Sequence, residues 1–224
     1  MFDLVKKLTE LPGPVGHEDT VQRFLYENFK RYTNEVKITN VGNLIAHFPG
    51  EGKKILLNAH ADEIGYVVQS ITDDGFLKVM PHDPSSIASD RVPYPFCTVG
   101  QKALVLGFER NLKVVLATTT GHVLKLSERT KDLTFWDIFV DVGASSKKEI
   151  LDAGVTVGSL VIWNPKTEKL GKKIFGKAMD DRLSHAVMIK LAEKLGESRI
   201  NCDLYMASTI QEEIALLGAE ALSK

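Results

Sequence analysis

Three short clusters carry side chains able to ligate a cation or move a proton: His60-Ala61-Asp62, Asp180-Asp181-Arg182 and Gln211-Glu212-Glu213. In an extended segment, residues 60 and 62 point to the same side, so Asp62 can orient an imidazole at His60 and raise its basicity. Consecutive side chains diverge, so one of Glu212 and Glu213 can bind a cation while the other accepts a proton beside it. Each cluster also has a plainer reading. With six histidines and 29 acidic residues, a His-x-acid triplet is expected by chance roughly once. Asp180 and Asp181 suit a helix N-terminus, where Arg182 could pair with either, and Glu212-Glu213 could be a solvated loop pair.

The surrounding elements place all three clusters where α/β sheets hold ligands, at the carboxyl end of a strand or the start of a helix. Leu4, Leu8 and Leu11 predict a first helix, stopped by Pro12-Gly13-Pro14, and Val21, Leu25, Phe29 and Tyr32 predict a second. Val36 and Ile38 alternate with polar neighbours, and residues 43–48 form another apolar run. The turn Gly50-Glu51-Gly52 then leads into a run at 54–59 that reads as a buried strand ending at His60. Further on, Leu183, Val187, Leu191 and Leu195 predict the apolar stripe of a helix running from near Asp181 to Gly196. Residues 202–209 read as a strand ending just before Gln211, and residues 214–222 as a helix.

Between Ile64 and Trp163 the texture is different. Short β-rich runs at 65–71, 76–80, 102–108, 112–118 and 159–163 alternate with turns such as Asp73-Asp74-Gly75. They predict a mostly β insert, with one short helix opened by the capping-box pattern Ser146-Lys147-Lys148-Glu149.

The chain has 224 residues, 44% hydrophobic and 25% charged, so it buries about 70% of its unfolded surface on folding and needs no metal for stability. Any metal would serve chemistry. Lys and Arg total 28 against 29 Asp and Glu, a balance that argues against nucleic-acid and anionic-membrane partners. There is no long uncharged apolar run and no charged-then-apolar leader. Cys97 and Cys202 are far apart and fit no metal or redox spacing. The expectation is a soluble protein of a reducing cytoplasm.

In combination, the order and spacing of the motifs resemble the deblocking or glutamyl aminopeptidases of the TET type, which are co-catalytic dinuclear metallopeptidases. The resemblance rests on His60-Ala61-Asp62-Glu63-Ile64-Gly65, on Lys177-Ala178-Met179-Asp180-Asp181-Arg182, and on Gln211-Glu212-Glu213 followed by Gly218-Ala219. It runs from the N-terminal helices to the end of the chain. It implies a three-layer α/β metallopeptidase domain, incomplete at the C-terminus, with an inserted mostly β dimerisation domain: catalytic segments at 1–66 and 164–224, insert at 67–163. It implies two divalent metal ions, zinc, cobalt or manganese, with His60 binding one, Asp180 bridging both and Glu213 binding the other. Asp62 is then the carboxylate supporting His60, and Glu212 the general base for a metal-activated water. The implied partners are a peptide substrate and further copies of the chain through the β insert.

Two departures accompany the resemblance. The family takes a further aspartate and histidine ligand from downstream sequence, whereas this sequence ends eleven residues after Glu213; three protein ligands do not complete two metal sites. The stretch His82-Asp83-Pro84-Ser85-Ser86-Ile87 also lacks the family's glycine-rich turn, and His122 reads as a loop residue rather than part of the site. The first functional reading is a metal-dependent aminopeptidase removing N-terminal residues from short peptides. A second is a catalytically incomplete assembly or peptide-binding subunit. A third, a glycoside hydrolase using Asp62 and Glu212, leaves His60 and Asp180 without a role.

Overall fold

The computed structural model describes residues 1–82, 98–128, 131–196 and 200–224. Its contacts divide into two units, one comprising Met1–Ile64 and Lys166–Lys224, the other Gly65–Pro165. In the first unit the N-terminal apolar periods form α1 (Phe2–Glu10) and α2 (Asp19–Phe29), which bury Val5 and Leu8, and Val21, Leu25 and Phe29, respectively. β1 (Val36–Ile38), β2 (Leu44–Phe48) and β3 (Lys53–His60) follow.

The second unit contains β4 (Tyr66–Ile71), β5 (Phe76–Pro81), β6 (Lys102–Leu106), β7 (Asn111–Thr118), β8 (Ile138–Asp141), α3 (Lys147–Asp152) and β9 (Leu160–Trp163). Its strands close into an antiparallel barrel in the order β4-β5-β8-β7-β6-β9. Val68, Leu77, Val79, Val105, Leu116, Val140 and Val161 fill it, as expected where alternate residues of each strand face inward. Ser146 caps α3 by accepting from the Glu149 amide. His122 sits in an exposed turn. Residues 83–87 and Cys97 lie outside the described residues.

The chain then returns to the first unit through β10 (Glu168–Leu170) and β11 (Lys173–Phe175), a hairpin the apolar pattern did not predict because its strands are short and exposed. α4 (Met179–Leu195), β12 (Cys202–Thr209) and α5 (Leu217–Leu222) complete the mixed α/β arrangement. The sheet order is β1-β2-β12-β3, with β12 antiparallel to β2 and parallel to β3. Leu44, Ala46 and Phe48 of β2 and Leu204 and Met206 of β12 form one face, which packs with α1, α2 and α4 into a single core. The opposite face presents Ile45, His47 and Tyr205, none of them fully buried.

Two expectations are corrected here. β3 is an edge strand of this sheet, paired through β12, so Ile55 and Leu56 are 43% and 53% exposed where a buried strand was expected. The apolar stripe expected on α4 is only half met, since Leu191 and Leu195 pack against the core and the other two members do not. Leu183 and Val187 are exposed, and the helix buries Ala186, Met188, Ile189 and Ala192, together with Arg182 and His185. Buried polar side chains such as Arg182 and His185 are invisible to apolar periodicity. No helix among the described residues is long and apolar enough to cross a membrane.

Candidate functional site

Parallel pairing sets Thr209 opposite His60, and the Ala61 amide donates to the Thr209 carbonyl at 2.8 Å, so β3 and β12 end together. The segments carrying His60-Ala61-Asp62 and Gln211-Glu212-Glu213 therefore leave the sheet side by side. Asp62 is fully buried between them. Its Oδ1 accepts from the Glu212 amide at 3.0 Å and its Oδ2 from the Glu213 amide at 2.9 Å. His60 Nδ1 is 3.5 Å from Asp62 Oδ1, at the outer edge of hydrogen-bonding distance. The other ring nitrogen, Nε2, lies 3.0 Å from Asp180 Oδ1 and 3.9 Å from Glu212 Oε2. One donor atom each from His60, Glu212 and Glu213 falls within 4.8 Å of the others. All five residues singled out in the sequence thus meet in one place.

Local backbone shapes this meeting. Asp180 and Asp181 have non-helical dihedrals at the head of α4, and the peptide between them is cis. Ala178 and Gln211 adopt φ of 48° and 53°, left-handed values that cost a residue with a Cβ about 1–2 kcal/mol and cluster at functional sites. Gly218 is required by close approach: a Cβ there would stand 2.3 Å from the Ile210 carbonyl oxygen and 2.7 Å from Asn43 Oδ1. Asn43 bridges the exit of β12, accepting from the Ile210 amide at 3.1 Å and donating to the Gly218 carbonyl at 2.7 Å.

The electrostatics are those of crowded carboxylates around one imidazole. Burial opposes protonation of His60, but Asp62, Asp180 and Glu212 outweigh it and raise its pKa to about 9. Burial pushes the Asp62 carboxyl up, yet His60 and the amides of Glu213 and Glu212 bring it below its ordinary value. Glu213 is raised by burial; His60 counteracts this, while the negative charges of Glu212, Asp62 and Asp180 add to it. A divalent cation would relieve this repulsion, and imidazole plus carboxylate is a donor set suited to zinc, cobalt or manganese. The residues present fit such a group.

Several residues that hold the site were not foreseen. Arg182 does not pair with Asp180 or Asp181; it is fully buried and donates to the carbonyls of Leu8, Leu11 and Gly13. Glu63 and Lys177 form a buried ion pair at 2.7 Å. Glu18, raised by burial, accepts from the amides of Gly16 and Gln211. Glu63, Lys177 and Arg182 lie inside the motifs that carry the resemblance, but nothing in their type told that they would be buried. The geometry also removes the glycosidase reading. With both oxygens of Asp62 engaged by backbone amides in the interior, that carboxylate cannot flank a sugar.

Residues 42–224 match the M42 glutamyl aminopeptidase family, and the chain belongs to it. It is 32% identical to a lysyl aminopeptidase of Pyrococcus furiosus over 99% of its own length and 62% of that protein's. Among solved structures it is similar to a TET aminopeptidase from a marine-sediment Thaumarchaeota archaeon, with a TM-score of 0.89 and 27% identity over 99% of this chain and 62% of that one. It is also similar to the TET1 peptidase of Pyrococcus horikoshii, which can assemble into a tetrahedron or a large octahedral shell, with a TM-score of 0.85 and 27% identity over 99% and 64%. The chain thus spans somewhat under two thirds of the length of these relatives.

Proposed function

We propose that this chain carries the metal-binding centre of an aminopeptidase that removes N-terminal residues from short peptides. The observation that supports it is the convergence of His60, Asp180, Glu212 and Glu213 where β3, β12 and α4 meet, in a chain of the M42 family. His60 and Glu213 would each hold one of two divalent ions, zinc, cobalt or manganese, and Asp180 would bridge them. Such ions lower the pKa of water and polarise a carbonyl when bound.

The chain's own residues supply the rest. Glu212, a half-exposed carboxylate, takes the proton of the attacking water and passes it to the departing peptide nitrogen. Asp62, by holding the amides of both glutamates, keeps that base at the mouth of the site. The barrel unit is the surface through which we expect copies of the chain to associate. It exposes the large apolar side chains Phe108, Val123, Leu126 and Trp136. The second reading, a peptide-binding or assembly subunit, is favoured by the single imidazole in the cluster among the described residues.

The test is to load the chain with Co2+ or Zn2+ and offer peptides with free and acetylated N-termini. We expect cleavage of the free peptides alone, lost on chelation. Glu212→Gln should lower turnover by roughly 10²–10⁴-fold while metal content stays unchanged, and Asp180→Ala should weaken the binding of both ions. Cleavage indifferent to a chelator overturns the reading, equal metal loss in the two variants overturns the division of roles, and peptide binding without cleavage selects the second reading.

A further inference from the structure

Asp180 is the least enclosed member of the cluster. Its side chain is 90% exposed, and the backbone at 180 and 181 departs from helical geometry, so neither burial nor helical hydrogen bonding fixes its carboxylate. The residues on either side of it are held differently. Three positions before it, Lys177 is buried, with Nζ 2.7 Å from each Glu63 oxygen and 3.2 Å from the Leu11 carbonyl. Two positions after it, the buried Arg182 guanidinium donates to the Leu8 carbonyl at 2.9 Å, the Leu11 carbonyl at 3.3 Å and the Gly13 carbonyl at 3.4 Å, and lies 3.9 Å from Glu63 Oε1.

Both anchors reach one platform. Glu63 Oε1 also accepts from the Gly13 amide at 3.0 Å, and Glu63 lies three residues beyond His60 on the same segment. The platform has no slack at Gly13, where a Cβ would stand 2.6 Å from an Arg182 nitrogen and 2.8 Å from Val21 Cγ2. A buried ion pair is a weak source of stability, because desolvation offsets most of its attraction. What two directional anchors on either side of a residue do supply is position.

We propose that Lys177 and Arg182, acting through Glu63 and the turn ending at Gly13, are positioning residues that set the Asp180 carboxylate against His60. This rests on the metal-ligand reading of Asp180. Lys177 and Arg182 touch neither substrate nor ion; they work through Asp180.

The test is a double-mutant comparison. Glu63→Gln with Lys177→Met removes both charges together at similar volume, and it is made in the unaltered chain and in Asp180→Ala. Folding is checked by circular dichroism, and Co2+ is titrated by its visible absorption and by calorimetry. In the unaltered background we expect roughly tenfold weaker Co2+ binding, the scale for residues that orient ligands, with an altered absorption band. In the Asp180→Ala background the same pair of changes should cost less than about twofold, since residues acting through one another are not additive. A folded variant with unchanged affinity, or an equal loss in both backgrounds, overturns the proposal while leaving the metal reading intact. Asp180→Ala binding Co2+ as tightly as the unaltered chain overturns both. If the paired variant does not fold, Lys177→Arg keeps the cation but changes its donor geometry and is judged by the same outcomes.

Discussion

The barrel and the α/β unit treat their polar groups in opposite ways. Among the described residues, the barrel's buried polar side chains are Thr98 and the hydroxyl of Tyr66, which bond each other at 2.8 Å, and the rest of its interior is aliphatic. The α/β unit buries Glu18, Asp62, Glu63, Lys177, Arg182, His60 and His185 around the ends of two strands. Charges are costly to bury, and here they are paired or held by backbone groups. One unit is built on apolar packing, the other gathers ionisable side chains at the ends of its strands.

The largest effect that sharpens this contrast is expected in the barrel. Leu116→Ala, at a fully buried position of β7, should cost about 2–5 kcal/mol in denaturant unfolding. Co2+ affinity should not change. A parallel loss of metal binding would break the separation between the units. Asp62→Asn should cost less in stability, about 1–3 kcal/mol, because one of the two amides it serves then faces an NH2 group. Unlike the barrel change, it should weaken Co2+ binding by roughly 10–100-fold. A stability loss without any change in affinity would make Asp62 a purely structural residue.

The smallest effect is a pH dependence, assigned to the α/β unit. His47 lies between Glu35 and Asp203, at 2.7 and 2.6 Å, and stacks on Tyr205. Burial opposes its charge, but Asp203 and Glu35 prevail and raise its pKa. A pKa raised by folding gives stability that is complete below the unfolded value, about 6.5, and is lost as pH climbs through the folded one. The thermal deficit of His47→Gln should therefore be widest below about pH 6 and narrow as the pH rises above the unfolded value. A deficit constant across that range would mean that stacking on Tyr205, not charge, is what His47 contributes.

Much of the α/β unit was legible because its strands are marked at both ends. The run entering at Gly52 and the run at 202–209 were readable as strands, and with them the placing of His60 and Gln211 at their carboxyl ends. What failed was orientation. Leu183 and Val187 have the spacing of a buried stripe and are exposed, whereas Arg182 and His185 are buried beside Ala186 and Met188. The helix expected over 214–222 is confined to Leu217–Leu222, because Ala215 and Leu216 adopt left-handed φ of 88° and 60°, which no right-handed helix accommodates. Short exposed strands such as β10 and β11 carry no apolar alternation to read.

The sequence by itself determined which residue types stand at the ends of the strands and in what order, since strand ends, turns and helix caps are written in local pattern. It also determined the family, through three motifs whose spacing is linear. The tertiary structure alone decided that Asp62 spends both oxygens on the amides of Glu212 and Glu213, 150 residues away, and that Arg182 turns from its neighbouring aspartates to the carbonyls at the end of α1. The physical reason is that a buried charge takes whichever donors or acceptors the packed core leaves without water, and that is settled only when distant segments close around it.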